Sequence, residues 1–213
     1  DPLKIRVEAF CELPVDANGF LNPIPPIKNL QPRANFVAYA ERKLYLHNAG
    51  HAAAAYLGYQ RGHSFIWQAM EDPAVRPTVE GTMDEACLAL HRRHGLDLGE
   101  LWEHAADLRR RFSSRALGDT VARVAADPIR KLQREDRLVG TILLCFEQGV
   151  EPRCLAQAVR AALAYDAPED ASAQRLRERI HLEGTGAVLA EICGLDAEER
   201  ERLDPLIDPS ISS

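Results

Sequence analysis

Apolar residues along most of the chain recur every three or four positions, which is the spacing of amphipathic helices. Short acceptor side chains stand where such helices are expected to begin, and glycines stand where they are expected to end. The pattern predicts helices over 34–61, 63–71, 74–95, 97–112, 134–148, 153–165, 170–183, 185–193 and 196–207. The expected caps are Asp97, Asp136, Asp170 and Asp196, and the expected glycine ends are Gly62, Gly95, Gly149 and Gly194.

The first thirty residues follow a different pattern. In KIRVEAF, apolar residues alternate with charged ones, the period of a half-buried strand, and the proline-rich stretch ANGFLNPIPPIKNLQP predicts a linker of turns. The sequence therefore predicts a mainly α fold, with a short β arm and linker over 1–32 and a multi-helix domain over 33–213. The chain begins at Asp1 inside the predicted strand, so we expect it to be part of a longer polypeptide.

Composition excludes several classes of function. The net charge of −6 disfavours a nucleic-acid-binding protein, and no apolar stretch is long enough to cross a membrane. The five cysteines are scattered, with neither a C-x-x-C pair nor the Cys/His spacing of a zinc site, so no metal is predicted. We expect reduced thiols and a cytoplasmic protein.

The candidate chemistry lies in KLYLHNAGH, which places Lys43, Asn48 and His51 among apolar neighbours. With about 100° of rotation per residue, an ideal helix turns these three side chains into one sector. A desolvated amine can act as a base on an alcohol, an amide can donate to a developing oxyanion, and an imidazole can orient the same oxygen. Alternatively, the three are a surface lysine, a cap at a helix joint near Gly50, and a satisfied core histidine.

This K-x4-N-x2-H spacing, with its flanks in ERKLYLHNAGHAAAAYLGY, resembles the polyol-specific long-chain dehydrogenases and reductases, in the version of the mannitol-1-phosphate 5-dehydrogenases. The stretch RRRFSSRALGDTVARVAADPIRKLQREDRLVG resembles another block of that family, as do the opening DPLKIRVEAFCELPVDANGF and the late ICGLD. The resemblance therefore covers nearly the whole chain. One departure is Ser113-Ser114-Arg115, where relatives often have Asn-Pro.

The resemblance implies a helical domain of the 6-phosphogluconate dehydrogenase C-terminal-like type. It implies a zinc-independent, NAD-dependent oxidoreductase in which Lys43 is the general acid/base, Asn48 holds the oxyanion and His51 positions the substrate oxygen. The implied substrate pair is mannitol 1-phosphate and fructose 6-phosphate. The chain contains no G-x-G-x-x-G, so we expect NAD to be bound mainly by an absent N-terminal domain and this chain alone to be inactive.

Two further readings stay open. The chain could belong to a hexuronate reductase or a free-mannitol 2-dehydrogenase of the same family. It could also be a helical module that has lost the chemistry and binds a protein partner.

Basic residues give the candidate substrate contacts. They cluster at 109–111 and 130–137 in an otherwise acidic chain, and arginine forks recognise phosphate or carboxylate. We predict that Arg111, Arg130 and Lys131 contact a small polyol or sugar phosphate, although basic runs are more often solvated helix faces. Glu41, two residues before Lys43, is expected to be a solvated helix residue.

Overall fold

The computed structural model describes residues 13–208. The strand predicted in KIRVEAF lies outside the described residues. Two short strands, β1 (Leu13–Asp16) and β2 (Leu30–Arg33), precede an almost uninterrupted series of helices, which confirms the mainly helical fold class. The helices are α1 (Phe36–Glu41), α2 (Ala49–Gln60), α3 (Ile66–Glu71), α4 (Arg76–His94), α5 (Leu98–Phe112), α6 (Val121–Ala125), α7 (Pro128–Lys131), α8 (Val139–Glu147), α9 (Arg153–Leu163), α10 (Ala171–Glu183), α11 (Thr185–Glu191) and α12 (Ala197–Ile207).

β1 directly precedes the stretch predicted as a linker of turns, and β2 takes up its last three residues and Arg33. The strands pair in parallel, with Leu13 opposite Leu30 and Asp16 opposite Arg33. The prediction of turns was therefore wrong at the C-terminal end of the linker. Pro32 lacks a donor, but a two-stranded ribbon consists only of edge strands, where proline is tolerated. The boundary between arm and helical domain at 32/33 stays a prediction.

Helix α2 is the centre of the core. It contacts α3, α4, α6 and α9, and its residues Ala52–Ala55 and Tyr56 are almost completely buried. The small alanines let the neighbouring helices approach closely. The Tyr56 hydroxyl donates to the carbonyl oxygen of Ala125 at 2.8 Å, which satisfies the only polar atom of that side chain.

The predicted caps are confirmed at three of four places. The carboxylates of Asp97, Asp170 and Asp196 accept backbone N–H groups at the starts of α5, α10 and α12. Asp136 does not cap a helix, because α8 begins later, at Val139. The sequence patterns also missed α6 and α7, which are too short to show a helical period.

The interruption predicted near Gly50 is wrong in kind. The backbone stays helical from Phe36 to Gln60, and a π-helical segment, Arg42–Asn48, joins α1 to α2. Gly50 lies inside α2, where an added Cβ would be 2.8 Å from Cγ of Met83. Its absence of a side chain therefore allows close packing of α2 on α4 rather than a kink.

Candidate active site

A large cavity, of about 800 Å³, lies beside the π-helical segment. β1 and α1 supply its apolar wall, and α5 supplies the opposite polar wall. The polar side chains that line it are Arg33, Arg42, Lys43, His47, Asn48, His104 and Arg111. A volume of this size is that of a small-molecule site.

The π-helical segment explains why Lys43 and Asn48 reach the same cavity. On an α-helix, five residues would leave two side chains about 140° apart. In a π-helix the hydrogen bond runs from residue i to i+5, so residues five apart lie one turn above each other. The five-residue spacing of Lys43 and Asn48 is therefore one π turn, and the two side chains share a face more closely than an ideal α-helix predicts.

The entry into this segment is fixed locally. Asn35 caps α1, since its side chain accepts the backbone N–H of Ala38 at 3.2 Å. The chain thereby turns from β2 directly into the helix that carries Lys43. Lys43 is exposed to solvent in the cavity, whereas Asn48 is half-buried. The amine is therefore accessible to a ligand, and the amide stands one turn deeper.

His51 follows Asn48 by one α-helical turn, but it does not line the cavity. Its ring stacks on Phe112 with the centroids 4.7 Å apart and the planes 9° from parallel. Its Nε2 atom lies 3.3 Å from Oδ2 of Asp119, in ion-pair range but without the alignment of a full hydrogen bond. The structure thus places His51 behind the cavity wall, next to His47, whose ring centroid is 6.2 Å away.

Asp119 is the charged partner of His51. The contact with His51 is the largest cause that holds the pKa of the Asp119 carboxyl below its usual value, and Arg123 adds to it. Its other oxygen accepts from the Arg123 guanidinium. A carboxylate beside an imidazole fixes the orientation of the ring and favours protonation of the nitrogen that faces it.

His104 faces the cavity from α5. Burial is the main cause that lowers the pKa of its imidazole to about 4; the guanidinium groups of Arg42 and Arg111 contribute to the lowering, and Asp107 opposes it. The ring is therefore neutral at physiological pH. A neutral imidazole offers one donor and one acceptor to a ligand.

Of the three predicted substrate contacts, Arg111 lines the cavity and the other two do not. Arg130 forms ion pairs with Asp127 at 3.2 Å and with Asp136 at 3.1 Å. Lys131 is buried, with 4% of its surface exposed, and its ammonium donates to the carbonyl oxygen of Ala126. That both contact a substrate stays a prediction.

Lys131 is also electrostatically unusual. Burial, together with the charges of Arg130 and Arg137, lowers the pKa of its ammonium to about 8. Lys43 is thus exposed in the cavity, whereas Lys131 is buried with its ammonium bonded to a backbone carbonyl.

Glu41 is not the solvated residue that the sequence suggested. Its carboxylate lies 2.7 Å from Nε2 of His94 and 3.4 Å from Nε of Arg93, and its side chain is 18% exposed. These contacts tie the end of α1 to the end of α4. The carboxylate is engaged there rather than directed into the cavity.

Sequence reasoning missed four cavity residues and one partner. The residues are Arg33, Arg42, His47 and His104, and the partner is Asp119. Signals existed for two of these five. His104 precedes Arg111 by seven residues, two helical turns on one face of α5, and Asp119 is the first aspartate in the stretch RRRFSSRALGDTVARVAADPIRKLQREDRLVG that resembles the family.

Within residues 13–208, no cluster of three or more histidine, cysteine or carboxylate side chains is placed to bind a metal ion. Likewise, none of the helices described is both long and apolar enough to span a bilayer.

Comparisons with known proteins agree on one family. The sequence profile of the mannitol dehydrogenase C-terminal domain matches residues 35–191. Mannitol-1-phosphate 5-dehydrogenase of Bacillus licheniformis is 38% identical over 198 residues, covering 93% of this chain and 52% of that enzyme. The chain thus spans about half the length of this curated relative.

A solved structure shares the fold. The ternary complex of Pseudomonas fluorescens mannitol 2-dehydrogenase with NAD and D-mannitol superposes with a TM-score of 0.68 and 24% identity. The superposition covers 84% of this chain and 39% of that one. At this identity the likeness speaks for the helical architecture alone.

Proposed function

The chain belongs to the mannitol dehydrogenase family, and from this premise we propose that it is the substrate-binding and catalytic part of an NAD-dependent oxidoreductase. The proposed reaction interconverts mannitol 1-phosphate and fructose 6-phosphate. The observation that carries the proposal is the convergence of Lys43 and Asn48, one π turn apart, on one cavity.

Lys43 is proposed as the general acid/base. During oxidation its neutral amine takes the proton of the reacting hydroxyl, and during reduction its ammonium returns a proton to the alkoxide. The acid–base step thus needs no metal-bound hydroxide, and we propose a zinc-independent reaction. When bound, NAD supplies the acceptor or donor of the hydride. Exposure of Lys43 in this chain is consistent with a site completed by further protein.

Asn48 is proposed to donate its amide N–H to the substrate oxygen as negative charge develops there. His51 is proposed to position the substrate oxygen, with Asp119 and the flat face of Phe112 holding the ring. Of the predicted substrate contacts, Arg111 is supported by its place in the cavity wall. Arg130 and Lys131 are kept as proposals without that support.

This sequence contains no G-x-G-x-x-G motif, the glycine-rich turn that binds the diphosphate of NAD in dinucleotide-binding domains. We therefore propose that most contacts to the cofactor come from protein outside the 213 residues and that this chain alone is inactive. The relative's greater length agrees with that division.

The test uses the complete natural polypeptide. NADH consumption is followed with fructose 6-phosphate, fructose and fructuronate, for the wild type and for Lys43→Ala. Removing a general acid/base should lower kcat by about 10²–10⁴-fold. Lys28→Ala is the matched control, because Lys28 is an exposed lysine that does not line the cavity.

Each outcome assigns the reaction. Turnover of fructose 6-phosphate that Lys43→Ala abolishes supports the proposal in full. Turnover of fructose or fructuronate instead keeps the roles and moves the substrate. No turnover of any of the three overturns the enzyme in favour of a non-catalytic helical module.

A further inference from the structure

The cavity is strongly cationic although the chain as a whole carries a net charge of −6. Its charged lining side chains are Arg33, Arg42, Lys43 and Arg111, and within residues 13–208 no aspartate or glutamate belongs to the lining. Outside the lining, Asp107 lies 3.8 Å from Arg111, and the other lining arginines have no carboxylate partner among the described ion pairs. A concave surface with four cations and no carboxylate in its described lining favours an anionic ligand.

Two of these arginines are held by one aromatic ring. The guanidinium carbon of Arg42 lies 4.9 Å from the ring centroid of Tyr39, and that of Arg33 lies 5.9 Å from it. Among the residues described, Arg42 has no carboxylate partner. Stacking restrains a guanidinium without consuming its N–H donors, which remain available to a ligand.

His104 lines the cavity from α5 and is affected by the charges of two of these arginines. Arg42 and Arg111 belong to different helical elements, yet both line the cavity with His104 and both lower the pKa of its imidazole. A neutral ring at that place can donate an N–H to an anion without adding a further buried charge.

We propose that Arg33, Arg42 and Arg111, with His104 as a neutral donor, form a subsite for the phosphate group of the substrate. The inference rests on the proposed function for the identity of that substrate. It moves phosphate recognition away from the Arg130–Lys131 pair and onto the β arm, the π-helical segment and α5. Arg42 then binds the phosphate, while its neighbour Lys43 serves the reacting oxygen.

A phosphate fits this arrangement better than a free polyol does. A phosphate monoester carries close to two negative charges near neutral pH and three acceptor oxygens, which suits several guanidinium forks. A free polyol brings no negative charge to the guanidinium groups of Arg33 and Arg42, nor to that of Arg111, which also lies 3.8 Å from Asp107. The diphosphate of a dinucleotide has the same chemistry, so the experiment must separate these two sources.

The experiment is an NMR titration of the His104 imidazole in this chain. Fructose 6-phosphate, inorganic phosphate, fructose and NADH are added in separate titrations, and the ring pKa is measured with and without each ligand. The phosphate monoester is still an anion at the pH where His104 titrates, so bound fructose 6-phosphate offsets the repulsion from Arg42 and Arg111 and should raise the low pKa of His104. Inorganic phosphate should do the same more weakly, and fructose should leave the pKa unchanged.

Variants identify the residues. Arg42→Gln and Arg33→Gln should each weaken binding of fructose 6-phosphate by about 10–100-fold, the usual loss for a charged hydrogen bond. Arg42→Lys keeps the charge but loses the fork, and should fall between them and the wild type. Arg110→Gln is the matched control, because Arg110 lies on α5 next to Arg111, pairs with Asp107 and is outside the cavity lining.

Three results would overturn the subsite. They are no saturable effect of fructose 6-phosphate on His104, an equal effect of fructose, or an effect confined to NADH, which would assign the cations to the cofactor. Loss of binding in Arg110→Gln as large as in Arg42→Gln would also overturn it. This readout needs no turnover, so phosphate binding without catalysis in the complete polypeptide would sink the proposed function and leave the subsite standing.

Discussion

Two basic regions of this chain look alike in sequence and differ in structure. Arg111, in the last turn of α5, lines the large cavity with two further arginines and Lys43, and no carboxylate belongs to the lining within residues 13–208. Its contact with the carboxylate of Asp107 is long, at 3.8 Å. Arg130, in α7, pairs with Asp127 and Asp136, and its neighbour Lys131 is buried with its ammonium on a backbone carbonyl. In the first region the cations line a cavity that a ligand can enter. In the second they are engaged by two carboxylates and a backbone carbonyl of the same chain.

The difference teaches that the partners of a cation, rather than its residue type, decide what it can do. A guanidinium already paired with two carboxylates must give up those contacts to bind a substrate, which lowers the net gain. A guanidinium stacked on an aromatic ring, as Arg42 is on Tyr39, keeps its hydrogen-bond donors. The predictions below test this contrast, beginning with the largest effect.

The largest effect is expected from charge reversal in the two regions. Arg111→Glu in the complete polypeptide should raise KM for fructose 6-phosphate by about 100-fold or more, because a like charge then faces the phosphate. Arg130→Glu should raise KM by less than about 3-fold, in keeping with the small worth of exposed ion pairs. Steady-state kinetics measures both.

A KM for Arg130→Glu as high as that of Arg111→Glu would break the contrast. It would show that the α7 region contacts the substrate, as the sequence predicted. Arg110→Glu is the control for a reversed charge on α5 outside the cavity lining.

A medium effect is expected from Lys131→Met. Since burial lowers the pKa of Lys131 to about 8, its charge is held in the folded state at a cost below that pH. The apolar side chain should raise the free energy of unfolding at pH 7 by about 1–3 kcal/mol, after loss of one hydrogen bond. Urea unfolding measures the difference.

The low pKa of Lys131 also makes the free energy of unfolding depend on pH. Between the folded pKa of about 8 and the unfolded value of about 10.4, the unfolded wild type binds more protons than the folded one. Its stability should therefore rise with pH over this window, and Lys131→Met should lack that rise. A variant less stable than the wild type at pH 7 would show that the buried ammonium stabilises the fold.

The smallest effect concerns His51, the site residue that already has a partner. Removing it in His51→Gln should raise the pKa of Asp119, because the contact with His51 is the main cause of the lowering. A carboxyl whose pKa is lower in the folded state than in the unfolded state stabilises the fold at pH values above its unfolded pKa. This stabilisation is lost as the pH falls through the folded-state pKa. The change in stability should stay below about 1 kcal/mol.

Carbon-13 NMR titration of the Asp119 carboxyl is the measurement. Arg123→Gln is the comparison variant, and it should shift the carboxyl pKa less than His51→Gln does. An unchanged pKa in His51→Gln would mean that the imidazole does not interact with Asp119 in solution.

Much of the fold was predictable because its signals are local. Apolar period and capping carboxylates placed α4, α5, α9, α10 and α12 to within about two residues. The short helices α6 and α7 could not be found, since four or five residues contain barely one period. The pairing of β1 with β2 depends on contact between segments about fifteen residues apart, which the proline-rich sequence disguises.

The site was predictable where chemistry follows one segment. The spacing predicted one shared face for Lys43, Asn48 and His51, and Lys43 and Asn48 line one cavity whereas His51 lies behind its wall. The π turn was not predicted, because apolar spacing over seven residues cannot distinguish two helix types. The sequence could not predict that Arg33, Arg42 and Arg111 line one cavity, because this depends on how three separate elements pack. Nor could the sequence tell that Arg130 and Lys131 are engaged by neighbours.

The π-helical segment also acts as a phase shift between two helices. The rotational setting of α2 is dictated by Ala52–Ala55, whose buried methyl groups leave little freedom. Each turn of a π-helix contains more residues than a turn of an α-helix. The seven π-helical residues, Arg42–Asn48, therefore rotate Lys43 about the helix axis relative to α2 differently from a continuous α-helix. Deleting one of those residues would convert the segment towards α winding and swing α1 and the β arm around the core. The direction in which Lys43 points is thus set by helical winding, separately from the packing that keeps the protein folded.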